Sequence, residues 1–304
     1  MKLRPVKLRQ IKKSISGTML AFFFCSLLIA LSSCSSAPRD TGDIFIERDM
    51  ALAHLNLANQ TANRGRFEDA MIILEEARRM IVSTDDPSLR IRSSMSRGNF
   101  LFYLGRDEEA FLEWERASAE GDASGEPALA ALARIYAIRA RIMLLAEETG
   151  ETASAAEEFR AQLNREMVLV RGDIISTAAG HIALGLAERQ LERWAAAEVE
   201  LRRALDIHER NYNLEDVAYC WFLIGSVRSL AGNHNAALEA LRTAIRFDRR
   251  VENGFGLASS WQAMGYVYQN AGRLEESRAA HRRAAEIFRA IGLLERAENL
   301  EGGL

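Results

Sequence analysis

Small and large apolar residues recur along this chain at a fixed interval of 40 residues. Trp221, Ile224, Gly225, Gly232, Ala237, Leu241 and Ala244 set the frame. One interval on stand Trp261, Met264, Gly265, Gly272, Ser277, His281 and Ala284, and one interval back stand His181, Leu184, Gly185, Glu192, Ala197, Leu201 and Ala204. The frame returns at Gly65, Ala70, Leu74 and Ala77, and again at Gly105, Ala110, Trp114 and Ala117. A period of this size means stacked supersecondary units, none able to bury its apolar face alone. Each copy predicts two antiparallel helices joined by a short turn.

The spacing has a steric reason. Two helices cross closely only where side chains are tiny, and Gly225 and Gly265 on the first helix face Ala70, Ala110, Ala197 and Ala237 on the second. Trp114, Leu201, Trp221, Leu241 and Trp261 fill the space between hairpins. Gly65, Gly105, Gly232 and Gly272 sit where the first helix ends, a place that favours a left-handed backbone. The run Trp261-x2-Met264-Gly265-x2-Tyr268 resembles the tetratricopeptide repeat, whose pattern is W-x2-L-G-x2-Y followed by spaced small residues. The interval of 40 resembles the longer variant in kinesin light chain and related adaptors. Glu192 departs from the pattern at a turn glycine, Ser277 at an alanine and His281 at an aromatic. The family's proline after the second helix is missing.

Five copies span about 52–120 and 178–291. Residues 121–177 break the phase and still read as two helices, Pro127–Glu147 and Thr152–Val170. They are either a sixth, degenerate repeat or an inserted helical pair that alters the curvature. Leu293–Leu300 reads as a capping helix. The expected fold is therefore all-α: a right-handed superhelical solenoid of antiparallel hairpins over residues 44–304.

The first residues read differently. Residues 1–33 carry six basic residues (Lys2, Arg4, Lys7, Arg9, Lys12, Lys13), no acids, and an apolar run Met19–Leu31 too short for a comfortable membrane span. Leu31-Ser32-Ser33-Cys34 resembles a bacterial lipobox, which implies cleavage, lipidation of Cys34 and two or three acyl chains. Each buried CH2 contributes about 0.8 kcal/mol, so more than one chain gives stable anchoring. Residues 34–43 read as a flexible tether. The chain has 39 Lys and Arg against 42 Asp and Glu. Without residues 1–33 the basic count is 33, a net charge of −9, which argues against a nucleic-acid partner. All lysines fall in that leader. The arginine-only remainder reads either as a surface for carboxylates or as genomic composition bias. Cys34 and Cys220 are then the remaining cysteines, so no internal disulfide is expected.

No constellation for catalysis stands out. The five histidines form no H-E-x-x-H, no C-x-x-C exists, and Gly254-Phe255-Gly256 lacks the strand a nucleotide site needs. No enzyme, cofactor or metal is expected. His54 and His181 occupy the tryptophan position and read as packing residues, His208 as a surface residue. In the family, first helices line a concave surface, and the outward stripe i, i+3, i+7, i+10 places Leu55, Asn59, Met95, Asn99, Phe102, Ile182, Tyr219, Phe222, Tyr266 and Gln269 in a peptide-binding groove. Its i+3 positions hold no basic residue, so the lysine/asparagine clamp of chaperone-binding relatives is absent. Alternatively these side chains are covered as core. Two functions follow: an envelope lipoprotein that scaffolds other proteins, anchored in the outer membrane and facing the periplasm, or a transporter-associated carrier of a small apolar ligand in the superhelix bore. Either leaves self-association into an oligomer open.

Overall fold

The computed structural model describes residues 46–145 and 152–302. The leader 1–33, the tether 34–43 and Cys34 lie outside the described residues. The described residues form thirteen helices and no strand. In order they are α1 Ile46–Asn63, α2 Phe67–Thr84, α3 Pro87–Tyr103, α4 Asp107–Ala123, α5 Pro127–Leu145, α6 Thr152–Val170, α7 Ile174–Gln190, α8 Trp194–Arg210, α9 Leu214–Leu230, α10 His234–Arg250, α11 Gly254–Asn270, α12 Leu274–Ala290 and α13 Leu294–Gly302. They pair in succession, α1 with α2 through α11 with α12, as six hairpins with α13 packed on the last.

Local chemistry sets the ends. Pro87 and Pro127 open α3 and α5, where a missing N–H costs nothing. Asp86 accepts from the Leu89 amide at 3.1 Å, and Asn253 accepts from the Gly256 amide at 2.9 Å. The first helices α1, α3, α7, α9 and α11 each end in a tight left-handed turn. At the third clear repeat Glu192 takes the glycine's place with φ 55°. The Arg193 amide still bonds Glu188 O at 2.9 Å and the Glu192 amide bonds Arg189 O at 3.1 Å, which closes the helix as a glycine turn does. The departure in sequence therefore changes the strain and not the fold, at a cost of about 1–2 kcal/mol.

The close crossings occur as the frame demands. A Cβ on Gly225 would lie 2.8 Å from Leu241 Cγ, and one on Gly185 would lie 2.8 Å from Leu201 Cγ. Gly98, seven residues before its turn like Gly185 and Gly225, receives Trp114 the same way at 2.6 Å. The alanines opposite, Ala70, Ala110, Ala197 and Ala237, are fully buried. The core runs continuously from α3 to α10 and continues in satellite clusters at both ends.

Repeat arrays usually make contacts only between neighbours. Here the array curls until its ends meet. Phe255 on α11 stacks edge-on against Phe67 of α2 at 5.4 Å and against Tyr103 of α3 at 5.2 Å. Arg64 pairs with Glu252 at 3.9 Å, Asn63 donates to Glu215, and Arg296 of α13 donates to Tyr103 O at 3.4 Å. Ile291 packs onto Gly65.

Candidate functional site

The curled array encloses a cavity of about 920 Å³. Most of its wall comes from the first helix of every hairpin, α1, α3, α5, α7, α9 and α11, with Phe67 of α2, Asp107 of α4, Leu241 and Asp248 of α10 and Arg296 of α13. Position i+7 of the expected stripe faces it in every repeat in which the stripe was read: Asn59, Asn99, Leu186, Ser226 and Tyr266. Phe102, Tyr219 and Phe222 also line it, and Tyr219 and Phe222 stack at 6.2 Å.

Four of the ten expected groove residues are elsewhere. Leu55, Met95 and Ile182 are buried in the core, and Gln269 is exposed outside the cavity wall. The i+3 position turns toward the next first helix, because α1, α3, α5 and α7 pack directly on one another. Short or branched side chains there are consumed by packing, whereas Phe222 and Gln262 reach the cavity. The wall also holds Tyr136 and Arg139 of α5, which the stripe missed because their segment is out of phase. Three arginines in an otherwise apolar helix, Arg134, Arg139 and Arg141 in α5, are the signal that could have found them.

The electrostatics of this wall follow from burial. Burial raises Asp216, against the opposing pull of His208 and Arg139, and raises Glu215. Burial pushes Asp248 up to about 7, although Asn253 and Ser260 donate to it at 2.8 and 3.5 Å. It pushes Tyr219 up to about 12 and lowers Arg189. Cys220 is fully buried and its thiol is raised by desolvation, so it is no ready nucleophile. His208, read from sequence as a surface residue, is buried: the end of α8 packs under the start of α9, setting its ring 3.5 Å from Asp216. His181 sits partly buried against the paired helix, with its Nδ1 2.7 Å from Glu200 Oε2. His54 is likewise half-buried, with Nδ1 2.9 Å from Met50 O. Among the described residues no group of three or more His, Cys, Asp and Glu is placed to hold a metal ion, and no helix is long and apolar enough to cross a membrane.

An all-helical array of hairpins around a lined bore defines a repeat scaffold for binding. Its last three hairpins match models described as tetratricopeptide repeat, over residues 176–250 and 258–291. Among solved structures, a Rap protein complexed with Competence and Sporulation Factor superposes with a TM-score of 0.53 at 17% identity, over 82% of this chain and 69% of that one. The apo form of RapI (TM-score 0.47, 13% identity, 83% and 94% covered) is also similar. So is a Podosopora anserina putative kinesin light chain with nearly identical TPR-like repeats (0.45, 15%, 66% and 95%). Comparison with curated proteins finds no match. The repeats make the chain a protein-interaction scaffold.

Proposed function

We propose that this scaffold is a bacterial envelope lipoprotein, anchored through Cys34 in the outer membrane and facing the periplasm, and that its bore holds a peptide segment of an envelope protein. The observation that carries the binding half is the mixed wall. Stacked Tyr219 and Phe222 offer apolar area at low entropic cost, and Asn59, Asn99 and Ser226 offer hydrogen bonds at intervals that suit a peptide backbone. A carrier of small apolar ligands needs few such polar groups, which disfavours that second reading, although the volume lies within the range of small-molecule sites. The Rap structure similar in fold is itself a complex with Competence and Sporulation Factor. Anchoring rests on Leu31-Ser32-Ser33-Cys34 after an apolar run.

The test joins both halves. The chain is expressed in a bacterium and captured with a photo-crosslinker, since residues 34–304 contain no lysine for amine reagents. Phe222→Ala with Tyr266→Ala should abolish the main adduct, while Arg202→Ala with Arg203→Ala on the outer face should preserve it. The reverse pattern places binding on the convex side and sinks the bore. Cys34→Ala should abolish the lipid mass and release the protein from membranes; an unchanged lipid mass sinks the anchor.

A further inference from the structure

Four large apolar side chains stand in solvent at the junction of α6 and α7, in the segment that breaks the repeat. Val168 is 61% exposed, Leu169 46%, Ile174 56% and Ile175 41%. Nowhere else among the described residues do four such side chains fall within eight positions. On the outer helices they stand singly, as Ile72, Leu112 and Val199 do. Single apolar residues at a surface need no partner, whereas a cluster marks a place that meets something apolar.

Two cations stand in the same cluster. Arg165 lies one turn before Val168 and Leu169 on the same face of α6, and Arg171 lies in the turn that follows. Both are exposed, and among the described residues neither makes a hydrogen bond or an ion pair. On the outer helices, by contrast, Arg202 holds Glu198, Arg273 holds Glu276 and Arg283 holds Glu286. The carboxylates nearest in sequence to Arg165 and Arg171 are already engaged. Glu166 accepts from Arg134 at 2.9 Å. Asp173 caps α7, accepting from the Ile175 amide at 3.1 Å and from the Ser176 hydroxyl at 2.6 Å. From residue 164 to residue 175 no exposed side chain is a carboxylate.

We propose that this junction docks on an anionic phospholipid surface, with Val168, Leu169, Ile174 and Ile175 entering the headgroup boundary and Arg165 and Arg171 pairing with phosphate. The proposal rests on the membrane anchoring proposed above and adds an orientation to it: a lipid on Cys34 fixes the chain to a bilayer without fixing how it lies. A membrane surface offers apolar depth and phosphate side by side, and both halves of the patch are satisfied there. The chain enters the array at Ile46, the start of a first helix, and the junction leads into another first helix, α7, so tether and patch share one edge of the array. An extended tether from residue 34 to residue 46 reaches at most about 40 Å, which keeps the patch near lipid at high effective concentration. Without the leader the net charge is −9, so the attraction has to be local. Salt screens the distant acids within about 8–10 Å, and the patch exposes none of its own. A second copy of the chain fits worse, because a two-fold contact would set these unpaired arginines against themselves.

The experiment uses the full chain as a bacterium processes it, with Val168→Cys carrying an environment-sensitive fluorophore. Cys220 is buried and does not compete for the label. Leu112→Cys, 62% exposed among the exposed acids Glu108, Glu109 and Glu115, is the control site. The protein is reconstituted into vesicles of phosphatidylcholine alone, or of phosphatidylcholine with phosphatidylglycerol, each doped with a nitroxide-bearing lipid as quencher. The label at 168 should be quenched strongly in the anionic vesicles and weakly in the neutral ones, and the label at 112 in neither. High salt, or Arg165→Gln with Arg171→Gln, should lower the ratio of docked to free protein about tenfold or more. Leu169→Gln with Ile174→Gln should lower it as well, by removing apolar area. These side chains are exposed, so each variant should keep the wild-type circular dichroism spectrum, and the salt comparison needs no substitution beyond the label. No quenching at 168 in either vesicle, on a chain that carries the Cys34 lipid mass, overturns the docking and leaves the anchor standing. Quenching at 168 when anionic vesicles are added to a chain without that mass does the opposite. A label already shielded in detergent, with no vesicle present, shows that protein covers the patch and overturns lipid docking. Quenching that ignores both salt and the arginine changes overturns the choice of anionic lipid.

Discussion

Replacing Asp248 by asparagine should stabilise this protein, and by an amount that depends on pH. Asp248 sits near the end of α10, 2% exposed, with its carboxyl held by Asn253 and Ser260 and further raised by Glu215. In the unfolded chain this group loses its proton near pH 3.8, and in the folded chain near 7. Between those values the native state holds a proton that the unfolded state has released, so stability falls as the pH rises through the window and levels off above it. A difference of about three pKa units corresponds to about 4 kcal/mol. Asparagine has the same shape, keeps an acceptor for the Asn253 amide, and carries no charge to desolvate. Urea unfolding at pH 4, 6 and 8 measures the difference between wild type and Asp248→Asn directly, and other titrating groups cancel because both chains share them. The advantage of the variant should grow by about 4 kcal/mol from pH 4 to pH 8, a midpoint shift of about 1 M urea or more. Parallel curves, with a constant gap at all three values, would refute the reasoning, since they would mean that Asp248 titrates alike in both states.

Two further outcomes test the packing. Gly225→Ala should cost about 1–3 kcal/mol by overpacking α9 against Leu241 and Ala237 O, read as a lower melting temperature; an unchanged melt would mean that α9 and α10 separate freely. Phe255→Ala should cost about 2 kcal/mol, less than the ~3–5 of a fully buried aromatic because Phe255 is half-buried, and should raise amide exchange in α1 and α13 together. Exchange that rises in α11 alone would show that the two ends are not held by this ring.

The hairpins were legible because their determinants are local and periodic. Gly225 facing Leu241, Ala237 under it and a left-handed residue seven positions on are all fixed by one 40-residue frame. Gly98 belongs to that frame, in a copy that carries Ser94 where Trp221 and Trp261 stand. The bore was legible only in part. Position i+7 depends on the helix alone and is readable, whereas i+3 depends on how near the next first helix lies, and that decided against Leu55, Met95 and Ile182. Curvature sums small rotations over six hairpins. No residue window encodes it, so the meeting of Phe67, Tyr103 and Phe255 could not be read from the pattern. Arg139 was hidden for the opposite reason: the out-of-phase segment removed the ruler.

The meeting of the ends also limits how this chain can change. Open solenoids lengthen and shorten by copying or dropping whole units, because a new unit needs only two good neighbours. In this chain a seventh hairpin, or the loss of one, would carry Phe255 away from Tyr103 and leave Arg64 without Glu252. Unit number is thereby locked by geometry, as the count of staves is locked once a barrel is hooped. Variation is left to the side chains that point inward, so descendants of this chain would diversify by changing what the bore recognises and keep its circumference.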